Sequence, residues 1–227
     1  MVDILLTDSP DSRTFSPGEL LPGFSIFGLR GDDILTGSSS NEVMFLGKGN
    51  DQAFLEGGDD EVNGNNEQDF IIGGAGNDTL RGGKDRDLVV GGPGDDLLLG
   101  DRGADGLIGN EGADTFGLFA DDTGDGPDLL LDFDAAEGDR LALLGGLRPD
   151  EIVIQEIPTP NRDVFFAVFP PGLSLQEILQ NTQIPQDLFN VAPPEVANFE
   201  LLTPSGQAIA QVFLTTEADI RSSLIEF

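Results

Sequence analysis

Acidic, glycine-rich segments alternate with short apolar segments through the middle of this 227-residue chain. From Gly28 to Gly117 the chain divides without gaps into ten units of nine residues. The sixth position of every unit is acidic: Asp33, Glu42, Asp51, Asp60, Asp69, Asp78, Asp87, Asp96, Asp105 and Asp114. The eighth position is always apolar: Leu35, Met44, Ala53, Val62, Ile71, Leu80, Val89, Leu98, Leu107 and Phe116. A fixed short period of this kind predicts stacked structural repeats.

Each unit predicts a turn followed by a short strand. Six residues rich in Gly, Asn and Asp favour a turn, because these residues tolerate a positive φ. The next three residues form the strand, and its middle residue, at the eighth position, points inward. Two units then make one coil, with the odd units stacked along one edge and the even units along the other. We predict two small parallel sheets around a narrow apolar core.

The composition divides the chain into four parts. Residues 1–27 are predicted to cap the first coil, because they contain two apolar patches separated by prolines and a solenoid end needs covering. The repeats occupy 28–117, and 118–148 are predicted to cap the last coil with strands at Leu129–Leu131 and Leu141–Leu144. Residues 149–227 contain nine of the 14 prolines and predict a small α+β module.

Within that last module, local patterns predict five elements. They are strands at 152–157 and 163–169, a helix from Ser174 to Gln180, a hairpin of 199–203 with 207–214, and a final amphipathic helix from Thr216. This last helix is predicted to place Ile220, Leu224 and Ile225 on one side.

Charge excludes several functions. The chain has 42 acids against 11 bases, no His and no Cys, and a formal net charge of −31. Such a charge opposes nucleic-acid phosphates, and without His or Cys there is no Ser-His-Asp triad, thiol nucleophile or Cys-type zinc site. The apolar runs are too short to span a membrane. Residues 1–6 lack the basic and long apolar regions of a secretory signal peptide.

The acidic column predicts a metal. Stacking brings sixth-position carboxylates within about 4.7–4.9 Å of their neighbours, where unpaired charges repel. Calcium removes that conflict, because it takes six to eight oxygen ligands from carboxylates and backbone carbonyls. Magnesium is less suitable because it demands near-ideal octahedral geometry. Transition metals prefer His or Cys, which are absent. A metal-free solenoid with an acidic edge is the alternative, but its core is thin.

The units resemble the RTX family of calcium-binding repeats, whose nonapeptide is GGxGxDxUx. GGAGNDTLR at 73–81 and GGPGDDLLL at 91–99 match every specified position. The resemblance implies a mainly β fold, a right-handed parallel β-roll with a C-terminal cap. It also implies that each calcium lies between turns two units apart, held by sixth-position Asp side chains and by carbonyls of positions one to four.

Carried over to this chain, the resemblance implies calcium ligands on both edges. One even-edge site would use Asp78 and Asp96 with the carbonyls of Gly74, Gly76, Gly91 and Pro93. The next would use Asp96 and Asp114 with those of Gly92, Gly94, Gly109 and Glu111. An odd-edge site would use Asp87 and Asp105 with those of Gly83, Asp85, Gly100 and Arg102. The remaining candidate side chains are Asp33, Asp51, Asp60 and Asp69.

Five turns on each edge allow at most about eight calcium ions in the roll. Unit two is expected to bind least well, because it has no turn glycine after Gly37 and carries Glu42 instead of Asp. Two interpretations of the acids in the C-terminal cap stay open. They form either one further calcium site or a solvated loop: Asp125, Asp128, Asp132, Asp134 and Asp139.

Three functional hypotheses follow. The first is a non-catalytic, calcium-binding extracellular protein that folds on binding calcium and acts as a rigid structural or adhesive module at a cell surface or in a matrix. The second is an adhesin for glycans, proteins or its own copies. The third, a small hydrolase with its active site in 149–227, is disfavoured because that segment lacks Tyr and Trp. The resemblance also implies bacterial type I secretion, with an uncleaved signal at the acidic, amphipathic C-terminus.

Overall fold

The computed structural model describes residues 3–19, 25–119, 126–157, 197–215 and 217–226. Within these ranges the regular structure is almost entirely β-strand, with one short helix, α1 (Glu217–Ser223), and a single 3₁₀ turn at Pro149–Glu151. Strands lie in two sheets that face each other across one core. This is the predicted mainly β, parallel solenoid.

The first sheet has nine strands. In spatial order they are β1 (Ile4–Leu5), β3 (Ile26–Phe27), β5 (Val43–Lys48), β7 (Glu61–Asn66), β9 (Thr79–Lys84), β11 (Leu97–Arg102), β13 (Thr115–Phe119), β15 (Arg140–Leu144) and β19 (Leu224–Glu226). Every neighbouring pair in this sheet is parallel. The even-numbered units supply its middle strands.

The second sheet has ten strands. In spatial order they are β2 (Ser12–Thr14), β4 (Ile34–Ser38), β6 (Gln52–Glu56), β8 (Phe70–Ile72), β10 (Leu88–Val90), β12 (Gly106–Ile108), β14 (Asp128–Leu130), β18 (Ala208–Thr215), β17 (Ala197–Leu202) and β16 (Val153–Ile157). The sheet is parallel from β2 to β18, and β18, β17 and β16 are antiparallel. The odd-numbered units supply its middle strands.

Strand register confirms the two-unit coil. Leu98 lies directly beside Leu80 on one side and Phe116 on the other. Corresponding positions therefore stack on each other two units apart. The ten eighth-position side chains are all completely buried and belong to one continuous apolar cluster. The predicted inward position is thus confirmed in every unit.

Strand length differs between the two sheets. Strands β8, β10 and β12 have the predicted three residues, but β5, β7, β9 and β11 each have six. The longer strands continue to the third position of the following odd unit, where Arg102 pairs with Lys84. Backbone hydrogen bonds between these strands extend into the turn. The prediction of three-residue strands is therefore wrong for the first sheet.

The flanking segments extend both sheets. Strands β1 and β3 add to the first sheet before β5, and β2 adds to the second before β4. The strands predicted in the C-terminal cap are confirmed as β14 and β15, and Phe133 packs edge-on against Phe116. These additions place paired backbone beyond the first and last repeats, where open strand edges would otherwise remain.

Beyond the cap, the chain supplies further strands to both sheets. The predicted hairpin is confirmed as β17 and β18, and β18 pairs in parallel with β14. The final helix ends at Ser223, so the prediction that Leu224 and Ile225 are helical is wrong. They belong to β19, whose backbone bonds to the open edge of β15. The strand predicted at 163–169 and the helix predicted at 174–180 lie outside the described residues.

Shortening a stacked core side chain should destabilise the roll. Leu98→Ala removes a fully buried side chain held between Leu80 and Phe116, so we expect a loss of about 2–5 kcal/mol in unfolding free energy. Ile34→Ala is the matched control, since Ile34 is 42% exposed on β4. Urea unfolding of both variants in calcium measures the difference. Equal losses would contradict the assignment of the eighth position to the core.

Candidate metal centre

Sixth-position side chains bridge successive coils. Oδ1 of Asp96 accepts a hydrogen bond of 2.8 Å from the backbone N–H of Asp78, and Oδ1 of Asp78 accepts one of 2.8 Å from Asp60. The same contact repeats along both edges. One ladder joins Asp11, Asp33, Asp51, Asp69, Asp87, Asp105 and Asp128. The other joins Glu42, Asp60, Asp78, Asp96, Asp114 and Asp139.

The second carboxylate oxygen of these residues is buried and accepts no hydrogen bond. This holds for Oδ2 of Asp33, Asp51, Asp60, Asp69, Asp78, Asp87, Asp96 and Asp114. Their side chains are at most 3% exposed, so water does not satisfy these atoms from bulk solvent. A buried polar atom without a partner costs free energy, and a buried charge costs more. A column of such atoms in register therefore fits a bound cation.

The turn backbone supplies further oxygens. The carbonyls of Gly91 and Pro93 point back to the preceding even turn, where they accept bonds of 2.9 and 3.0 Å from the N–H groups of Gly74 and Gly76. The carbonyls of Gly74 and Gly76 point the other way, towards Gly92 and Gly94. Each carbonyl has two lone pairs, so the gap between these turns contains oxygens from both of its walls.

Alternating backbone conformation produces this arrangement. The second and fourth positions have a positive φ in most units, as at Gly92 (128°) and Gly94 (147°). At Gly94 a Cβ would collide with the carbonyl oxygen of Gly76, so glycine is required there by space as well as by conformation. Glu67 and Asp85 occupy fourth positions with φ of 71° and 73°. Their left-handed conformation costs roughly 1–2 kcal/mol each.

Burial raises the pKa of the ladder carboxyls. The effect is largest at Asp69 and Asp87, where burial and neighbouring carboxylates raise the pKa to about 9. For five other ladder aspartates burial is again the largest cause of the raised pKa. It raises the pKa to about 8 for Asp60 and Asp114, to about 7 for Asp51 and Asp96, and to about 6 for Asp78. A bound cation would reverse this preference for the protonated form.

Unit two is built differently. Both oxygens of Glu42 accept hydrogen bonds from Ser38, one from its backbone N–H at 3.0 Å and one from its hydroxyl at 2.6 Å. Ser38 and Ser40 also lack the positive φ found at these positions in the other units. This turn satisfies its own carboxylate, which agrees with the expectation that unit two binds a cation least well.

The C-terminal acids do not form one common site. Asp128 continues the odd-edge ladder from Asp105, whereas Asp139 continues the even-edge ladder from Asp114. Asp132 instead accepts backbone bonds of 2.9 and 2.7 Å from Gly109 and Asn110. The predicted single site is therefore wrong in including Asp128. Asp132, Asp134 and Asp139 lie together at the end of the even edge, where Oδ2 of Asp139 accepts a 2.8 Å bond from the Asp134 N–H, and a calcium site among these three stays a prediction. Asp125 lies outside the described residues.

Three ladder positions lie outside the nine-residue period of the repeats: Asp11, Asp128 and Asp139. Asp128 and Asp139 follow Asp105 and Asp114 by 23 and 25 residues, whereas the other rungs of the repeats are 18 residues apart. Loops inserted before β14 and β15 hide them from a fixed period. Among the described residues, no three acidic side chains converge on a single point. A cation bound in either ladder would therefore be held by a pair of carboxylates together with backbone carbonyls.

Comparison with family models agrees with this geometry. The model of the RTX calcium-binding nonapeptide repeat matches residues 25–53, 56–89 and 81–116, in four copies. Residues 25–116 are RTX calcium-binding nonapeptide repeats. RTX repeats bind calcium, and the repeat family is generally non-catalytic. A search of curated proteins found no match to this chain.

The raised pKa values determine how the metal-free RTX roll responds to pH. Between the ordinary Asp pKa of 3.8 and the raised values of up to about 9, the folded state binds more protons than the unfolded chain. The unfolding free energy of the metal-free chain should therefore fall as pH rises through this window. In chelator, we expect the β-sheet signal measured by circular dichroism to be present at pH 5.5 and lost by pH 8.5. A β-sheet signal that grows as the pH rises would contradict the burial of ionisable carboxyls.

Proposed function

We propose that this protein folds on binding calcium outside the cell and acts there as a rigid structural or adhesive module. The observation that supports the proposal most directly is the column of buried Oδ2 atoms that accept no hydrogen bond. The RTX repeats support calcium as the ion. Bound calcium would supply positive charge and a hard Lewis acid that accepts several oxygen ligands.

The proposed ligands are those that face each other across the gaps between stacked turns. Between units six and eight they are Asp78, Asp96 and the carbonyls of Gly74, Gly76, Gly91 and Pro93. Between units eight and ten they are Asp96, Asp114 and the carbonyls of Gly92, Gly94, Gly109 and Glu111. On the odd edge they include Asp87, Asp105 and the carbonyls of Gly83, Asp85, Gly100 and Arg102. Asp33, Asp51, Asp60 and Asp69 serve the earlier gaps.

Calcium binding and folding are coupled in this proposal. Oδ1 of each ladder aspartate from Asp33 onward already joins two coils through a backbone N–H, so the side chain is positioned only when the coils are stacked. Binding to the folded state alone converts calcium affinity into folding stability. Without the ion, buried carboxylates at strand spacing must be protonated or exposed, and exposure requires the coils to separate.

Extracellular location follows from this coupling and from the family. Calcium sites in extracellular modules have dissociation constants of about 10⁻⁴–10⁻³ M, so such a roll stays unfolded where calcium is scarce. RTX proteins are typically exported by type I systems, which use an uncleaved C-terminal signal. We propose that this protein leaves the cell by the same route. No helix within the described residues is long and apolar enough to cross a membrane.

We further propose that the protein is not an enzyme. Two of the described acids in 149–227 have ordinary structural partners: Glu151 pairs with Arg148, and Glu217 pairs with Arg221. The alternative of a hydrolase in 149–227 would be supported by turnover of a polysaccharide substrate by the calcium-loaded protein. Binding of a glycan without turnover would favour the adhesin hypothesis.

A calcium titration tests the proposal. Far-UV circular dichroism of the purified chain at pH 7.5 should show a cooperative gain of β-sheet signal between about 10⁻⁴ and 10⁻³ M calcium. Magnesium at the same concentrations should produce little change, because its octahedral preference suits these carbonyl-rich gaps poorly. Full β-sheet signal in excess chelator at this pH would overturn calcium-dependent folding.

Neutralising one ladder residue should have opposite effects with and without calcium. Asp96→Asn keeps Oδ1 as the acceptor for Asp78 N–H but removes a buried charge. The calcium midpoint should rise about threefold or more, while in chelator the pH at which the β-sheet signal is lost should move upward. Asp95→Asn is the matched control, because Asp95 is the exposed neighbour and its Oδ1 bond to Ala113 N–H survives.

The paired comparison separates a metal ligand from a purely structural residue. If Asp96 only holds two coils together through its hydrogen bond, Asp96→Asn should change the stability of the fold in the same direction in calcium and in chelator. A shift of the calcium midpoint as large in Asp95→Asn as in Asp96→Asn would show that overall charge, rather than the ladder, controls binding.

A further inference from the structure

A column of basic residues runs along the odd edge of this acidic protein. The third positions of the odd units are Arg30, Lys48, Asn66, Lys84 and Arg102. Strand pairing places Arg30 beside Lys48, Lys48 beside Asn66, and Lys84 beside Arg102. Lys84 Nζ also donates a 2.9 Å hydrogen bond to Asn66 Oδ1. All four bases are exposed, so their charges face solvent in register.

The fold itself does not require this column. Like charges placed directly opposite each other in a sheet are destabilising. Each edge has nine acids in the six-residue turns of its five units, but the odd turns contain five bases and the even turns contain none. The even edge builds the same carboxylate ladder without any base in its turns. Neutralising the negative charge of the carboxylate ladder therefore does not explain the column of bases.

The column borders a groove of about 520 Å³. Its walls include Asn63, Asn65, Asn66, Lys84, Arg102 and Phe119. Asp101 also lies in the wall, but both of its carboxylate oxygens accept hydrogen bonds from Arg81, at 2.9 and 2.7 Å. That ion pair offsets the one acidic side chain of the groove, so Lys84 and Arg102 dominate its charge.

We propose that this groove and the basic column bind a linear polysaccharide that carries carboxylates. Lys84 and Arg102 can form ion pairs with the carboxylates of the sugar units. The side-chain amides of Asn63 and Asn65 can hydrogen-bond sugar hydroxyl groups, and the ring of Phe119 can pack against an apolar sugar face. Bases repeated at strand spacing suit a ligand with repeated charges. A net charge of −31 opposes any polyanion, so this binding depends on the local charge of Lys84 and Arg102 in the groove. The inference rests on the proposed function, because calcium must first neutralise the ladder beneath this edge.

Calorimetric titration of the calcium-loaded protein with tetragalacturonate tests the site. The fully methyl-esterified tetramer is the control ligand, since it keeps the sugar backbone but lacks the charges. We expect binding of the acid form that weakens with added salt, and no binding of the ester. Lys48→Gln/Lys84→Gln should weaken binding about tenfold or more. Arg148→Gln/Arg221→Gln removes the same charge elsewhere and should change affinity less than twofold.

Each outcome distinguishes the inference from the proposed function. Circular dichroism in calcium is recorded for every sample, so failure to fold on calcium counts against the proposed function alone. If the folded protein does not bind tetragalacturonate, or binds its methyl ester equally well, the proposed polysaccharide site is overturned. Analytical ultracentrifugation of the protein without polysaccharide measures whether it self-associates. Self-association in calcium that the Lys48→Gln/Lys84→Gln variant abolishes would assign the column to a second copy's acidic edge, and would also overturn the inference.

Discussion

Burial of carboxylates in two stacked columns is the constraint on which the rest of this structure depends. Eight aspartates of the two ladders each use one oxygen to tie their coil to the preceding coil, which places the second oxygen in a buried space without a hydrogen-bond donor. The cost of that placement is offset when a cation occupies the gap. The turns add further oxygens to the same gap, because their alternating positive φ values direct backbone carbonyl oxygens into it from both sides.

Much of this architecture could be predicted from the nine-residue period. Because a unit has only one inward strand residue and one sixth-position acid, the period alone predicts the sheets, the core and the ladder pairing within 28–117. It could not predict the extra length of β9 and β11, which depends on backbone bonds made through the turn. The rungs at Asp128 and Asp139 were hidden because loops change the spacing. Leu224 becomes a strand residue because β15 offers an open edge.

The two edges of the roll differ although they share one building plan. The even edge has acids and glycine in its turns, and its chemistry is that of the ladder. The odd edge adds a column of exposed bases, in which Lys84 and Arg102 lie directly opposite each other. Like charges placed in this way cost stability without serving the ladder, which indicates a second role for that edge. In this account, one repeat provides both a calcium-dependent framework and a charged surface presented outside the cell.

Anomalous diffraction from crystals grown in calcium tests the central claim most directly, because it locates each ion without relying on refined side-chain geometry. The account predicts peaks within both ladders, including the gap between Asp78 and Asp96. It predicts no peak at the unit-two turn, where Ser38 already satisfies both oxygens of Glu42. Ladders without anomalous peaks, in crystals of a fully folded protein, would contradict the claim that calcium compensates the buried carboxylates.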